Sequence, residues 1–364
     1  MARRMALAPL LTLACAGLLA PAAQAATARA PQPPEPIFHV LGGRIVEASG
    51  LAVSADGERY YTLPDAGRPA EVYVIDGTGK TRATLGLPRA ELNEDWEDLA
   101  AVRPAGGAGH LYIADTGDAF FTRRDAGLPP RTSYRLLRIA EPGAEVTGST
   151  PVAEEDVTVF PLVYADGAAH NSEAMFVQPG TGRVFLVEKT EDAKRKTGLW
   201  SAPAVLKEDG DNTLRRVLAD LKIVGVSGAA FSPSGDQVVI RNATTAYLWR
   251  IKDGDVARSL RAEPVEIELP LQKQGEGVAF TPDGRALLVN SEGGRQPVWR
   301  VPLAEETGTE AAEPPETTVE SRDPAVPAPP PESADGLMLA VAGLSGTAAI
   351  GVLAFVVVRG RRAV

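Results

Sequence analysis

Glu276-Gly277-Val278-Ala279-Phe280, with the turn Pro282-Asp283-Gly284 behind it and the strand Ala286-Leu287-Leu288-Val289 after that, is one copy of a phrase that returns along the chain. The other openings are Ser49-Gly50-Leu51-Ala52-Val53, Glu97-Asp98-Leu99-Ala100-Ala101, Glu173-Ala174-Met175-Phe176-Val177 and Ser227-Gly228-Ala229-Ala230-Phe231. Each is a polar residue, a small or acidic one, then an apolar run. A period of about 50 residues with several strands per period is the signature of a β-propeller. Each opening leads into a Gly-bearing hairpin turn: Ala55-Asp56-Gly57, Gly106-Gly107, Gly180-Thr181-Gly182 and Pro233-Ser234-Gly235 in the other four copies. A second strand follows, then a third that carries a large residue in register: Tyr73, Leu137, Trp200, Trp249 and Trp299. Large residues at one repeat position pack between blades. Fourth strands are expected at 81–85, 157–160, 214–218 and 265–269. The last repeat lacks one, and the strand at 37–41 is expected to complete it and close the ring. The fold class is therefore all-β, a β-propeller spanning 37–303, with five blades. The alternative is a sixth blade hidden in the long interval between the second and third openings; the turn-rich, polar stretch 115–133 argues for a loop there instead.

The two ends read differently. Arg3 and Arg4, an apolar run over 5–20 and Ala23-Gln24-Ala25 describe a secretory signal peptide, with cleavage expected after Ala25. The only cysteine, Cys15, falls inside it, and Thr12 stands where a lipoprotein site wants an aliphatic residue. The exported chain is thus expected to lack disulfides, thiolate metal sites and a cysteine nucleophile. Residues 26–36 read as a linker. Residues 304–335, rich in Pro, Glu and Thr, read as an extended tether that reaches on the order of 100 Å. Residues 336–358 are apolar and uncharged, long enough to span a bilayer, and Arg359, Arg361 and Arg362 follow in a basic tail, 359–364. The expected arrangement is a large extracellular domain on the plasma membrane, one span and a cytoplasmic C-terminus. The formal charge is −10, and it grows more negative once these terminal arginines are set aside. That argues against nucleic acid as a partner and favours cations or basic ligands.

The start of a first strand and the end of a second share one face of the disc. One mouth therefore collects Ser49, Glu97, Glu173, Ser227 and Glu276 together with Asp65, Asp115 and Asp118, Glu188 and Lys189, Arg241 and Asn242, Asn290 and Glu292. Like charges gather this closely when a cation holds them, and hard oxygen ligands suit Ca²⁺. The expected calcium ligands are Glu97, Glu173, Glu276 and Asp115. The same carboxylates have other uses open to them: capping backbone N–H groups, pairing with Arg241 and Lys189, or facing a wet channel. The ligand- or partner-facing residues are expected to be Asp95, Asp118, Phe120, Phe121, Glu188, Arg241, Asn242 and Glu292, with Arg123 and Arg124 beside the aromatic pair. Trp96 is expected to anchor the acidic run 93–98. Strand alternation puts Asp95 and Glu97 on one side and Asp98 on the other. His170, near Glu173, is either an acid or base at the site or an ordinary loop histidine. No G-x-S-x-G, H-E-x-x-H or phosphate-binding glycine loop occurs, which disfavours serine hydrolases, zinc proteases and nucleotide enzymes.

The run Asp95-Trp96-Glu97-Asp98-Leu99-Ala100, followed by Tyr112-Ile113-Ala114-Asp115-Thr116-Gly117-Asp118, resembles a pair of motifs in exported bacterial propeller proteins. Glu173-Ala174 and Gln274-Gly275-Glu276-Gly277 fit the same pattern, and the resemblance covers about 40–303. Ala119 departs from it, where an Asn is expected. More distantly the Glu-Gly openings are similar to those of calcium-dependent propeller hydrolases: lactonases, arylesterases and alkaline phytases. That likeness implies a metal role for Glu97, Glu173 and Glu276. It implies no catalytic base, since the arylesterase histidine pair is not visible, and Lys189 and Arg241 make a poor phosphate pocket. Three readings follow as expectations: a surface module that binds a small-molecule or protein ligand at an acidic mouth, a calcium-dependent hydrolase of esters, lactones or phosphoesters, or a purely structural surface domain.

Overall fold

The computed structural model describes residues 32–304, apart from 66–68, 104–106, 119–122, 124, 193 and 195. The expected signal peptide, span and basic tail, most of the tether, and Phe120 and Phe121 lie outside the described residues. Among the described residues no helix is long and apolar enough to cross a membrane.

The chain is all-β and propeller-like. Strand β1 (Glu35–His39) comes first, and β2 (Ala48–Val53), β3 (Arg59–Pro64), β4 (Glu71–Asp76) and β5 (Thr81–Gly86) form an antiparallel meander. Next come β6 (Trp96–Val102), β7 (His110–Asp115), β8 (Tyr134–Ala140), the short β9 (Gly148–Pro151) and β10 (Thr158–Tyr164). A third set is β11 (Ser172–Val177), β12 (Val184–Glu188), β13 (Thr197–Ser201) and β14 (Asn212–Leu221). A fourth is β15 (Gly228–Phe231), β16 (Gln237–Arg241), β17 (Thr245–Arg250) and β18 (Val265–Glu268), with the one-turn helix α1 (Val256–Ser259) between its last two strands. The chain ends in β19 (Gly275–Phe280), β20 (Ala286–Ser291) and β21 (Pro297–Pro302), and β1 pairs antiparallel with β21 to complete that sheet. The expected closure by the first strand is thus present.

Two features differ from the sequence reading. The second and third sets are one eight-stranded sheet, because β10 pairs in parallel with β14 at Leu162–Asn212, Val163–Thr213 and Tyr164–Leu214. Strand β9, unforeseen, joins β5 in parallel. Both arise in the long interval between the second and third openings. There the chain runs outward and finds unpaired outer-strand edges, which pair readily with any strand laid beside them.

The openings β2, β6, β11, β15 and β19 lie against one another in a closed circuit. Covered on both faces, β19 and β20 are buried along their whole length, whereas the outer β18 is largely exposed. Tyr73, Leu137, Trp200 and Trp249 are buried at their register positions, and Trp299 packs half-buried against the Val278–Val289 cluster. Each such side chain removed from water contributes about 1.5–3 kcal/mol. Among the described residues the strands of 35–302 find their partners in one another and share their own cores within one compact unit, so they form a self-contained folding unit.

Four of the five openings begin with a register shift: Ala48/Leu51, Trp96/Asp98, Ser172/Ala174 and Gly275/Val278. A bulge releases one residue from the ladder and re-aims its side chain. This is what frees Glu97, Glu173 and Glu276 at the end of the circuit. Asp95 and Glu97 come together on one side and Asp98 turns to the other, into the axis of the circuit, as the alternation expected for 95–98 has it; all three are buried.

Candidate cation site at the acidic end of the inner strands

Glu97, Glu173 and Glu276 do converge, with Lys189 among them. The Lys189 ammonium donates to Glu173 Oε2 at 2.9 Å, and the fields of Glu173, Glu276 and Glu97 outweigh its burial and hold it above the ordinary lysine range. Asn171 Nδ2 donates to Glu173 Oε1 at 2.8 Å, and Gln274 Nε2 to Glu276 Oε1 at 3.0 Å. One ammonium does not balance three carboxylates. Burial, with Glu173 and Asp95 as neighbours, pushes the Glu97 carboxyl up, and burial raises Glu173 as well. Burial pushes Glu276 up to about 8, with Glu173 adding and Lys189 opposing.

Beside this group Asp65, Asp95 and Glu97 bring one carboxylate oxygen each to within 4.8 Å of one another. Asp95 and Glu97 are buried and Asp65 is half-buried. At that spacing each pair of ionised groups repels by roughly 3–4 kcal/mol at an effective dielectric constant of about 20. Two oxygens each about 2.4 Å from one calcium ion lie at most about 4.8 Å apart, so the set has the chemistry and the span of a Ca²⁺ shell. The trio is held from behind. The Asp95 N–H donates to Asp115 Oδ1 at 2.8 Å, the Trp96 indole donates to Leu92 O at 2.6 Å, and Gly117 N donates to Asp95 O at 3.2 Å. Trp96 is thus the anchor the sequence suggested. A methyl at Gly117 would overlap Glu97 Oε1 and lie 2.6 Å from Asp95 Oδ2, so the two carboxylates meet over that glycine.

Several expected ligands take other roles. Asp115 is fully buried and spends its oxygens on the Asp95 N–H, on Arg131 Nη1 at 3.1 Å and on Arg135 Nε at 2.8 Å; it positions the Asp95 segment and stands outside the oxygen trio. Asp118 accepts from the Arg131 N–H at 2.8 Å and pairs with Arg123 Nε at 3.2 Å, so it fixes its own loop. Arg241, expected on the ligand face, is fully buried. It donates to the carbonyls of Asn242, Ala243, Gly277 and Asn290 and to Gln272 Oε1, and burial pushes it down to about 10. Asn242 Oδ1 accepts from Thr244 N and Thr245 N and closes its own hairpin. Glu292 stands beside Glu276 and raises its carboxyl slightly. The serine openings use their hydroxyls structurally. Ser49 donates to Glu97 O and Ser227 to Gly275 O, each linking neighbouring inner strands.

Glu188 belongs to a separate cluster. It pairs with His170 Nδ1, while His170 Nε2 meets Asp166 Oδ1 at 3.1 Å, and Tyr164 and Trp200 pack on the ring. Held this way His170 is a structural imidazole. Burial opposes its charge, but Glu188 and Asp166 together raise it above 6.5. Its contribution to stability is therefore complete below pH 6.5 and fades as pH rises through the higher folded value. Urea denaturation from about pH 6 to pH 9 is expected to show this loss in the wild type and not in His170→Gln; equal pH slopes would contradict it.

Asp65 is the carboxylate of the trio that sequence reading left out of the metal set. Its signal was its place at the end of the second strand, on the same face as Glu97.

No family model matches the chain, and no curated protein matches it. Among solved structures, the WD40 repeats of RRP9 align over 76% of this chain and 100% of theirs, at 14% identity and a TM-score of 0.38. A luciferin-regenerating enzyme aligns over 71% and 92%, at 11% identity and 0.37. The major Malassezia sympodialis allergen Mala s 1 aligns over 72% and 94%, at 10% identity and 0.44. No residue role in this chain follows from these likenesses. Strand topology and side-chain geometry define the class: an all-β, propeller-like protein with buried acids at one end of its inner strands.

Proposed function

We propose that this chain is a five-bladed β-propeller displayed at the cell surface, exported by 1–25 and tethered by 336–358, that binds its ligand at the acidic end of the inner-strand circuit. The five-blade count rests on the five openings in that circuit. A calcium ion is held there by Asp65, Asp95 and Glu97, with Glu173 and Glu276 in reach of a ligand. The observation that carries this reading is the trio of carboxylate oxygens within 4.8 Å of one another, two of them on buried side chains. Bound calcium would offset the repulsion among these carboxylates and supply a Lewis-acidic point for an oxygen of the ligand. The test is metal content and melting temperature of residues 26–335, with calcium and after chelation. About one calcium per chain is expected. At a hundredfold excess over Kd it adds about 2.7 kcal/mol, or roughly 5–10 °C in Tm. No bound metal and an unchanged Tm would remove the site.

A second reading, a calcium-dependent hydrolase, draws on Glu276. A buried carboxyl near 8 beside a metal site has the proton affinity of a general base or acid at neutral pH. Calcium-dependent turnover of a small ester, lactone or phosphoester that is lost in Glu276→Gln would favour it over binding alone.

A further inference from the structure

The inner strands open at their other ends too. There the walls of a cavity of about 280 Å³ are the C-terminal halves of β2, β6, β11, β15 and β19 and the turns beyond them. The lining is apolar: Leu51, Val102, Val177, Phe231 and Phe280, with a proline from each of three turns. Asp98 holds two residues of this lining in place, since it accepts from the N–H groups of Leu99 and Ala229. The cavity is a funnel between the strand ends that shares no lining residue with the acidic end.

Its polar groups are few. The Ser54 hydroxyl donates to Asp56 Oδ1 at 2.5 Å and the Ser232 hydroxyl to Asp236 Oδ1 at 2.9 Å, so both serve their own turns. The charged side chains of the lining are Arg103 and Glu141, paired at 3.0 Å. Glu141 is buried and has other partners, the Tyr61 hydroxyl at 3.0 Å and Arg59 at 3.9 Å. Arg103 is half-exposed at the rim and shows one hydrogen bond, to Glu141 Oε2. A guanidinium carries five N–H donors in a planar fork that matches a carboxylate or sulfonate.

We propose that this funnel is a second binding site, for a small amphipathic anion: an apolar body seated among the aliphatic and aromatic walls, with one carboxylate or sulfonate on Arg103. A concave apolar pocket with a few convergent polar groups is the usual form of a small-molecule site, and the volume falls near the lower end of the roughly 300–1,000 Å³ range. The two ends of the circuit then differ: carboxylates crowd the acidic end and repel an anion, whereas the one carboxylate of the funnel lining, Glu141, is paired with Arg103 and Arg59. The site stands independently of the calcium reading.

The experiment uses residues 32–304 in the presence of a chelator, so that the acidic end plays no part. The probes are 8-anilinonaphthalene-1-sulfonate, read by fluorescence, and decanoate as its competitor. One saturable site per chain is expected, displaced by decanoate and at least tenfold less well by decyltrimethylammonium. Arg103→Gln is expected to weaken decanoate about tenfold or more with an unchanged Tm. Ala230→Trp, which fills the funnel, is expected to abolish binding. If Ala230→Trp unfolds the protein, Arg103→Gln alone decides. No saturable binding, equal displacement by anion and cation, or wild-type affinity in Arg103→Gln would each overturn the proposal.

Discussion

Asp98→Ala is expected to lower the unfolding free energy by about 3–5 kcal/mol, the range seen when one partner of a buried charged group is removed. Asp98 is completely buried. Its Oδ1 accepts from Leu99 N at 2.9 Å in its own strand, and its Oδ2 accepts from Met175 N at 2.9 Å in β11 and Ala229 N at 3.2 Å in β15. One carboxylate thus ties three inner strands across the axis. Burial pushes the carboxyl well up, and the three N–H groups pull it back. Gly50 makes room for it, since a Cβ there would lie 2.6 Å from Asp98 Oδ1. Alanine would strand three buried N–H groups, each costing about 1–3 kcal/mol, with less than additive effect. Asp98→Asn keeps an acceptor and is expected to lose less. The check is the urea midpoint at constant m-value. A loss below about 1 kcal/mol for the alanine variant would mean that the axial carboxylate is not a structural tie.

The second large effect falls on binding. Gly117→Ala is expected to weaken calcium affinity by about 10–100-fold, the usual result of disturbing the support of a metal site. The new methyl enters the space where Glu97 Oε1 sits and lies 2.6 Å from Asp95 Oδ2, so at least one carboxylate must leave the trio. The displaced groups are the tips of side chains, so the strands are expected to stay in register. Calcium titration by calorimetry, paired with a melt in chelator, separates the two effects. Weakened binding with a chelated Tm within a few degrees of wild type supports the trio. Unchanged affinity would place the ion elsewhere, and Glu173 and Glu276 would be the next ligands to test.

Much of the architecture was legible because its causes are local. Strand alternation, Gly-bearing turns and one large residue per repeat are short-range patterns, and each marks a real strand or hairpin. The missing fourth strand at the end and the spare strand at the start pointed together to the pairing of β1 with β21. Glu97, Glu173 and Glu276 were found by the same logic, since position in the repeat sets the face. Asp115 and Arg241 take roles the sequence reading did not give them, for a common reason. Both stand at second-strand ends as read, but the sequence holds no record of which partners would use up their hydrogen bonds.

The chain by itself determined the repeat, the antiparallel meander within a repeat and the collection of acids at one end, because period-two burial and turn chemistry act over a few residues. Only the tertiary structure decided which acids meet. Asp65 reaches Asp95 and Glu97 from another sheet. Asp98 bonds to Ala229, 131 positions away. Bulges shift the register at four openings. The physical reason is that a bulge and a cross-axis hydrogen bond are set by how neighbouring sheets pack, and that packing exists only once the ring has closed.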